Sequence, residues 1–469
     1  MEDPSSAGGS ASPHILLISR DELTDVTQRA LHAAGARVTY LRDPNDRDIR
    51  RALDQEVDAV VVIAEDDHIS LRLALVVEGV RPGVRLIVTV YDRDVAAQLE
   101  RVAGNVRVMS MPDIVAPTLA GPCFDDRLLS VTRTPEGFCG VQAGEEGPHL
   151  VPIEPYSRSP GQQLLVNLGS LLHPFESSAR TLMAGLLGFL LILVLDTVAT
   201  VIVFDESLVE GFYAATKTIV TVGPNSLVEE GPGWFKVFSA AVMLAALAFT
   251  AIFTAGVVNR LLAPRHVAMA GPRSLPRKDH VVVVGLGQVG LRVCLSLREL
   301  GVPVVAIESD PAGDYVARAK QYRVPVVVGQ GGSRFLLRRL SLERARALAA
   351  VTSDEIANIA IVVGALGVRE DLRTLLRAGR GDVVNETRSL FSIGVVRDVR
   401  RVGGTMLAAA ALGEEGSEAF LHEQIVYLIA PDGRIEPFAG DVSTAREIAA
   451  TSGEGDATSG EGAGSPDDG

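Results

Sequence analysis

Two stretches of the chain are apolar at nearly every position. The first runs from Thr181 to Phe204 (TLMAGLLGFLLILVLDTVATVIVF) and the second from Phe235 to Val258 (FKVFSAAVMLAALAFTAIFTAGVV). At about 1.5 Å of rise per residue, each can cross a hydrocarbon core of about 30 Å as a helix. Nothing in a soluble fold needs two helices so free of charge, so the pattern predicts spans at 181–204 and 235–258. Arg158 and Arg180 precede the first span, and Arg260, Arg265, Arg273, Arg277 and Lys278 follow the second. The segment between carries Asp205, Glu206, Glu210, Glu229 and Glu230 against Lys217. Cytoplasmic flanks collect Lys and Arg. Both termini are therefore expected in the cytoplasm, and the protein in the plasma (inner) membrane as a multi-pass chain.

After the second span the pattern turns to short apolar runs separated by helix-length segments. Residues 280–290 read HVVVVGLGQVG. Four consecutive valines predict a strand buried on both faces, as in a parallel sheet. Gly285, Gly287 and Gly290 make GxGxxG directly after it, and 291–300 reads as a helix. A second strand, 302–307, ends at Glu308. A third is expected at 324–329 and a fourth at 348–352, followed by Ser353-Asp354-Glu355-Ile356-Ala357-Asn358 entering a helix. This is the order of a Rossmann fold. The first glycine allows the tight turn, the second lets backbone approach a pyrophosphate, and the third packs helix on strand. The helix start offers N–H groups to phosphate, and Glu308 is placed to accept from a ribose diol. The expected nucleotide contacts are Gly285, Gly287, Gln288, Val289, Gly290, Glu308, Asp310 and Thr352.

The same order recurs before the first span. HILLI (14–18) parallels HVVVV (280–284), and GARVTYLRDP (35–44) parallels GVPVVAIESDP (301–311). Residues 59–77 parallel 349–363, and 88–120 parallel 375–411 down to a final helix of small residues. The chemistry does not repeat. SRDELT (19–24) replaces the glycine turn, Arg42 stands where the acidic residue would be, and Leu71 where the second copy has Asn358. Asp21 and Glu22 at the helix start would repel a pyrophosphate. This copy is read as structural, making assembly contacts.

The segment between the spans is no ordinary loop. Residues 208–220 (LVEGFYAATKTIV) can form a short helix, followed by Thr221-Val222-Gly223-Pro224-Asn225. Backbone that is not helical survives at membrane depth only where it is buried or lines a water-filled path. Span, half-helix, Thr-Val-Gly turn and span resemble the pore module of two-transmembrane potassium channels. In that family Thr-Val-Gly-Tyr-Gly turns of four subunits stack carbonyl rings around the ion. The resemblance implies that Thr221, Val222, Gly223, Pro224 and Asn225 line an ion pathway. Pro224 and Asn225 replace the family's Tyr and Gly, and Ser226 its usual acidic residue, so the carbonyl ladder is shortened or re-aimed. Inside the first span, Asp196 is costly unless paired or wet. It pairs with Lys217, or is protonated, or faces a polar crevice.

The strand ending in Thr352 with the acidic run and Asn358 resembles the RCK domain, also called the TrkA N-terminal domain, over roughly 279–413. Such domains gate channels and transporters by binding nucleotides or ions. Gly329-Gln330-Gly331 departs from the family's usual Gly-Asp-Ala. The first copy then resembles a second, degenerate RCK domain.

Composition narrows the reading. The chain has 469 residues, 47% hydrophobic, with a formal net charge of −14; mean hydropathy is +0.25 and the pI near 5.1. A nucleic-acid partner needs a basic surface and is not expected. Cys123, Cys139 and Cys294 offer neither a disulfide framework nor metal spacing, and no metal site is expected. Residues 1–13 read as a disordered tail rather than a signal peptide, and the Gly/Ser/Glu/Asp-rich end from Thr451 as a disordered acidic one.

The expected fold class is α/β plus membrane α, with two Rossmann-like RCK domains flanking a two-helix transmembrane pore module. The parts are a tail at 1–13, the degenerate RCK-like domain at 14–155, the pore module at 156–265 (pore helix and filter-like loop at 208–226), the RCK domain at 279–413, a hairpin extension at 414–440 and a tail at 441–469. The resemblances imply a potassium-conducting cation channel, not an enzyme, gated by NAD(H) or ATP/ADP. One pore loop per chain implies a homo-tetramer. The alternatives are a non-conducting, membrane-anchored nucleotide sensor acting on a partner transporter, and an NAD-dependent oxidoreductase, for which no acid–base constellation is visible.

Overall fold

The computed structural model describes residues 12–91, 93–102, 104–145, 147–156, 177–220, 226–262, 269–270, 275–379 and 394–441. The chain forms two compact units. One is helical, from 158–268 and 273–275, and the other is α/β, from the chain before and after it.

The first sheet of the α/β unit has strands β1 (His14–Ser19), β2 (Arg37–Leu41), β3 (Ala59–Ile63), β4 (Arg85–Thr89) and β5 (Val106–Met109). They are parallel in the order β2-β1-β3-β4-β5. HILLIS and AVVVI are buried at every position, because helices cover both faces of such a sheet. The helices are α1 (Leu23–Ala33), α2 (Asp46–Leu53), α3 (Asp67–Val80) and α4 (Arg93–Val102). After β5 comes α5 (Met111–Phe124), then an antiparallel meander of β6 (Leu128–Thr134), β7 (Gly137–Gln142) and β8 (His149–Ile153).

In the helical unit, α6 (Ser177–Phe204) and α9 (Gly233–Leu262) are long and apolar enough to cross a membrane, and α7 (Leu208–Ile219) and α8 (Ser226–Glu230) lie between them in sequence. Small residues let α6 and α9 pack closely. A Cβ on Gly185 would lie 2.6 Å from the Phe253 backbone nitrogen, and one on Gly256 would lie 2.7 Å from Leu182. Ser207 caps α7 by accepting from the Glu210 N–H at 3.2 Å. Thr197, Thr200, Thr250 and Thr254 donate to the carbonyl four residues back, which satisfies their hydroxyls without water. Asp196 is buried, and among the described residues no ion pair joins it to Lys217. The filter-like residues Thr221, Val222, Gly223, Pro224 and Asn225 lie outside the described residues.

The second sheet contains β9 (Met269–Ala270), β10 (Val281–Val284), β11 (Val304–Glu308), β12 (Val326–Val328), β13 (Ala347–Ala350), β14 (Arg373–Ala378) and β15 (Val395–Asp398). Its order is β15-β14-β13-β10-β11-β12-β9. Strands β10 to β15 are parallel and reproduce the doubly wound Rossmann order. The added β9 runs antiparallel on the edge of β12. It falls between the second expected span and the strand expected at 280–284, a stretch in which the sequence pattern assigns no element. The helices are α10 (Gln288–Glu299), α11 (Asp314–Gln321), α12 (Arg334–Arg339), α13 (Glu355–Leu366) and α14 (Val399–Leu412). Among the described residues the first sheet has no counterpart of β12 and α12. The expected C-terminal hairpin is three-stranded, with β16 (Glu418–His422) ahead of β17 (Ile425–Ile429) and β18 (Ile435–Pro437).

The two Rossmann-like halves exchange their last helices. α5 leaves the first sheet and packs on α10 of the second, while α14 leaves the second and packs on α1 of the first. Both are small-residue helices buried along most of their length, as helices covered on two sides must be. A Cβ on Gly404 would sit 2.9 Å from Val26 Cγ1. One hydrophobic core therefore runs from Ile15 and Leu17 through Leu119 and Leu407 to Val283 and Leu297. Arg85 donates to the carbonyl of Ala411 at 3.3 Å and so caps the C-terminus of α14. Cys123 and Cys294 lie in this core, where burial pushes both thiols up to about 12.

Candidate nucleotide-binding site

The glycine loop follows from three local constraints. Gly285 has φ +95, and a Cβ there would lie 2.7 Å from Thr352 Cγ2; both demand glycine. At Gly290 a Cβ would collide with the carbonyl oxygen of Gly285, so only glycine lets α10 come this close to the turn. Gly287 is the N-cap of α10, and a Cβ there would meet nothing within 4 Å. That open space lies where the first N–H groups of α10, at Gln288 and Val289, have no carbonyl partner within the helix.

Glu308 ends β11 with its carboxylate already engaged. Oε2 accepts from the Leu286 N–H at 2.8 Å, and Oε1 accepts from the N–H groups of Ser309 (2.7 Å) and Asp310 (3.1 Å). Oε1 also accepts from the Ser309 hydroxyl at 3.0 Å, so the donors crowd one oxygen and the second lone pair of Oε2 is the place left for a ribose hydroxyl. Asp310 accepts from the Ala312 N–H at 2.9 Å and shapes the following turn. At the end of β13, the Thr352 hydroxyl donates to Asn358 Oδ1 at 2.7 Å. Asn358 is fully buried, and its Nδ2 donates to the carbonyls of Thr352 (3.1 Å) and Arg377 (3.0 Å). It clamps the ends of β13 and β14 together.

A cavity of about 1430 Å³ opens at the carboxyl ends of the β10–β15 strands, the general ligand position in doubly wound sheets. Gly285, Gly287, Gln288, Val289, Glu308, Asp310 and Thr352 line it. Gly290, grouped with them from the motif, does not; it lies buried behind the loop and holds the α10 start in place. Gly329, Gln330 and Gly331 are also on the wall, and a Cβ on Gly331 would collide with Val284.

The far wall is supplied by the first half, through Asp21, Glu22, Leu23, Glu65, Tyr91, Met111, Pro112 and Val115. Arg377 and Arg400 complete the lining from the second half. Sequence reasoning did not place these residues here; Asp21 and Glu22 stood out only as the start of the first copy's own helix. They belong to no motif, and the exchange of α5 and α14 is what brings them here. Burial, together with the carboxylates of Asp21, Glu65 and Asp67, pushes the Tyr91 hydroxyl well above its usual value, so the ring stays neutral in a negative field. Among the described residues no group of His, Cys, Asp and Glu could hold a metal ion.

The chain is similar to known proteins over parts of its length. The TrkA-N domain family matches residues 281–392. The voltage-gated potassium channel Kch of Escherichia coli is 22% identical over 214 residues, which are 45% of this chain and 51% of that one. Potassium channel protein 1 of Methanocaldococcus jannaschii is 22% identical over 249 residues, 51% of this chain and 73% of that one. Among solved structures, the GsuK channel bound to NAD superposes over 86% of this chain and 64% of its own, with a TM-score of 0.46 and 14% identity. Residues 281–392 thus match the TrkA-N domain, and those of them that are described have the doubly wound Rossmann order. The chain that carries it is similar in sequence to potassium channels, and it spans about half the length of the first of those relatives.

Proposed function

We propose that this protein is a potassium-conducting cation channel gated by a nucleotide in the cavity at β10–β15. The single observation that carries the reading is the helical unit. Two long apolar helices pack through glycines, and the helix α7 that lies between them in sequence is followed in sequence by Thr-Val-Gly. One such unit supplies a quarter of a pore, so four chains would surround it. The flanking α/β halves would lie in the cytoplasm as two RCK domains, the first structural and the second ligand-binding.

In this reading, the α10 start at Gly287, Gln288 and Val289 receives the phosphates, Glu308 receives the ribose, and Asp310 and Thr352 complete the contact. NAD(H) or ATP/ADP fits the glycine loop and acid. Binding gates the pore only if two states of the α/β assembly hold the ligand with different affinity. Only residues 263–268 separate α9 from β9 in sequence, and β9 is paired with β12; a shift of that sheet edge is the proposed route from ligand to pore.

The test is flux of K⁺ and of Na⁺ into liposomes holding the purified protein, with and without nucleotide. Nucleotide-dependent K⁺ flux supports the proposal. Bound nucleotide with no flux of either ion overturns it in favour of a membrane-anchored sensor.

A further inference from the structure

Two guanidiniums share the cavity with the glycine loop, and they are held differently. Arg377 closes β14, the strand next to β13, and the Asn358 clamp fixes its backbone beside Thr352. Among the described residues its guanidinium makes neither a hydrogen bond nor an ion pair. Burial and the neighbouring Arg400 lower its pKa. Tyr91 and the Glu355 carboxylate act on it through space and offset only part of that lowering, and a half-buried cation that no anion touches is costly to keep. Arg400, in the first turn of α14, is ion-paired with Glu22 at the start of α1 and lies 3.8 Å from Glu355 at the start of α13. Glu22 belongs to the first half, so this pair bridges the two halves across the cavity.

Geometry and chemistry together define an occupant. With a ribose at Glu308 and the first phosphate at the α10 start, a phosphate chain continues past the β10–β13 switch toward Thr352, and Arg377 stands one strand further. A planar guanidinium matches phosphate oxygens in fork geometry.

Resting on the reading of this cavity as a nucleotide site, we propose that Arg377 and Arg400 form the subsite for the terminal phosphate of a nucleoside di- or triphosphate, with Glu22 as its competitor. Arg377 is the standing half of the subsite. Arg400 is the half that must leave Glu22 to reach the ligand, and its departure releases the ion pair joining the halves. The number of phosphates is thereby read as the contact between α1 and α14.

The test is calorimetric titration of the full-length protein in detergent with AMP, ADP and ATP. Affinity should climb from AMP to ATP by about tenfold to a hundredfold, the worth of charge-assisted hydrogen bonds. Arg377→Gln should bring ADP and ATP down to the AMP level while AMP binding, the check on folding, is kept. Arg377→Lys should retain part of the climb. Glu22→Gln should tighten ATP several-fold and leave AMP unchanged. Equal affinity for AMP and ATP in the wild type, or a climb untouched by Arg377→Gln, overturns the subsite and leaves the nucleotide site standing. Failure of AMP, ADP and ATP to bind a wild type that still binds NAD(H) overturns the subsite alone; failure of NAD(H) as well overturns the nucleotide reading with it.

Discussion

The carboxylate of Glu308, at the end of β11, accepts a hydrogen bond from the backbone N–H of Leu286, 2.8 Å away in the glycine loop after β10. The acid expected to hold a ribose thus also braces the loop expected to hold the phosphates. Glu308→Gln keeps the shape but not the charge. It should weaken nucleotide binding by about tenfold and lower stability by about 1–2 kcal/mol, the scale of a hydrogen bond to a charged acceptor. Titration calorimetry and thermal unfolding of the same preparation would check both.

Two glycines of one motif should respond in opposite ways. Gly290→Ala places a methyl on the Gly285 carbonyl and should destabilise the α/β unit by about 1–3 kcal/mol, the usual cost of overpacking. Gly287→Ala enters open space. It should leave the unfolding temperature within a degree or two of wild type but weaken nucleotide binding, because the methyl occupies the approach to the α10 start. Equal loss of stability in both variants would contradict this division of roles.

Glu418, the first residue of β16, accepts from the Thr132 hydroxyl of β6 at 2.9 Å. Its Oε2 is buried without a partner among the described residues. Burial pushes this carboxyl from its ordinary 4.5 up to about 7. Between those values the folded chain keeps a proton that the unfolded chain has lost. Stability is therefore greatest below the ordinary value, falls as pH rises through the window and is level above it. Unfolding midpoints measured from pH 5 to 8 should show this slope, and Glu418→Gln should flatten it.

The exchange of α5 and α14 makes the two halves depend on each other. Gly404→Leu would drive a side chain into Val26 and the backbone of Thr27. It should lower hydrogen-exchange protection in α1 as well as in α14, although α1 lies more than three hundred residues away in sequence. Loss confined to α14 would mean the halves are independent.

In the helical unit, Gly188 faces the ring of Phe249 so closely that a Cβ would collide with it. Gly188→Leu should separate α6 from α9 and reduce the yield of folded protein extracted in mild detergent. Gly233→Ala, where a Cβ meets nothing, should be tolerated in the same assay.

Hydrophobic pattern made much of this legible in advance. Val281–Val284 and Ala59–Ile63 could only be strands covered on both faces, and the glycines after β10 could only turn, because their spacing fits nothing else. Other features left no local trace. The two residues of β9 are too short for any period to register. The β16 strand, EAFLH, sits outside the turn that marks the β17–β18 hairpin. Asn358 was visible beside Thr352, but not that its amide reaches across to β14.

The sequence alone determined the two apolar helices, both Rossmann-like halves, the glycine loop and its acid, since each depends on neighbours within one strand–turn–helix segment. Tertiary structure alone decided that α5 and α14 trade places, that Gly290 lies behind the cavity, and that Glu22, Tyr91, Arg377 and Arg400 meet around it. Those side chains are brought together by helices that cross between sheets. The small residues that permit the crossing specify that something packs closely against them, but not which partner it is.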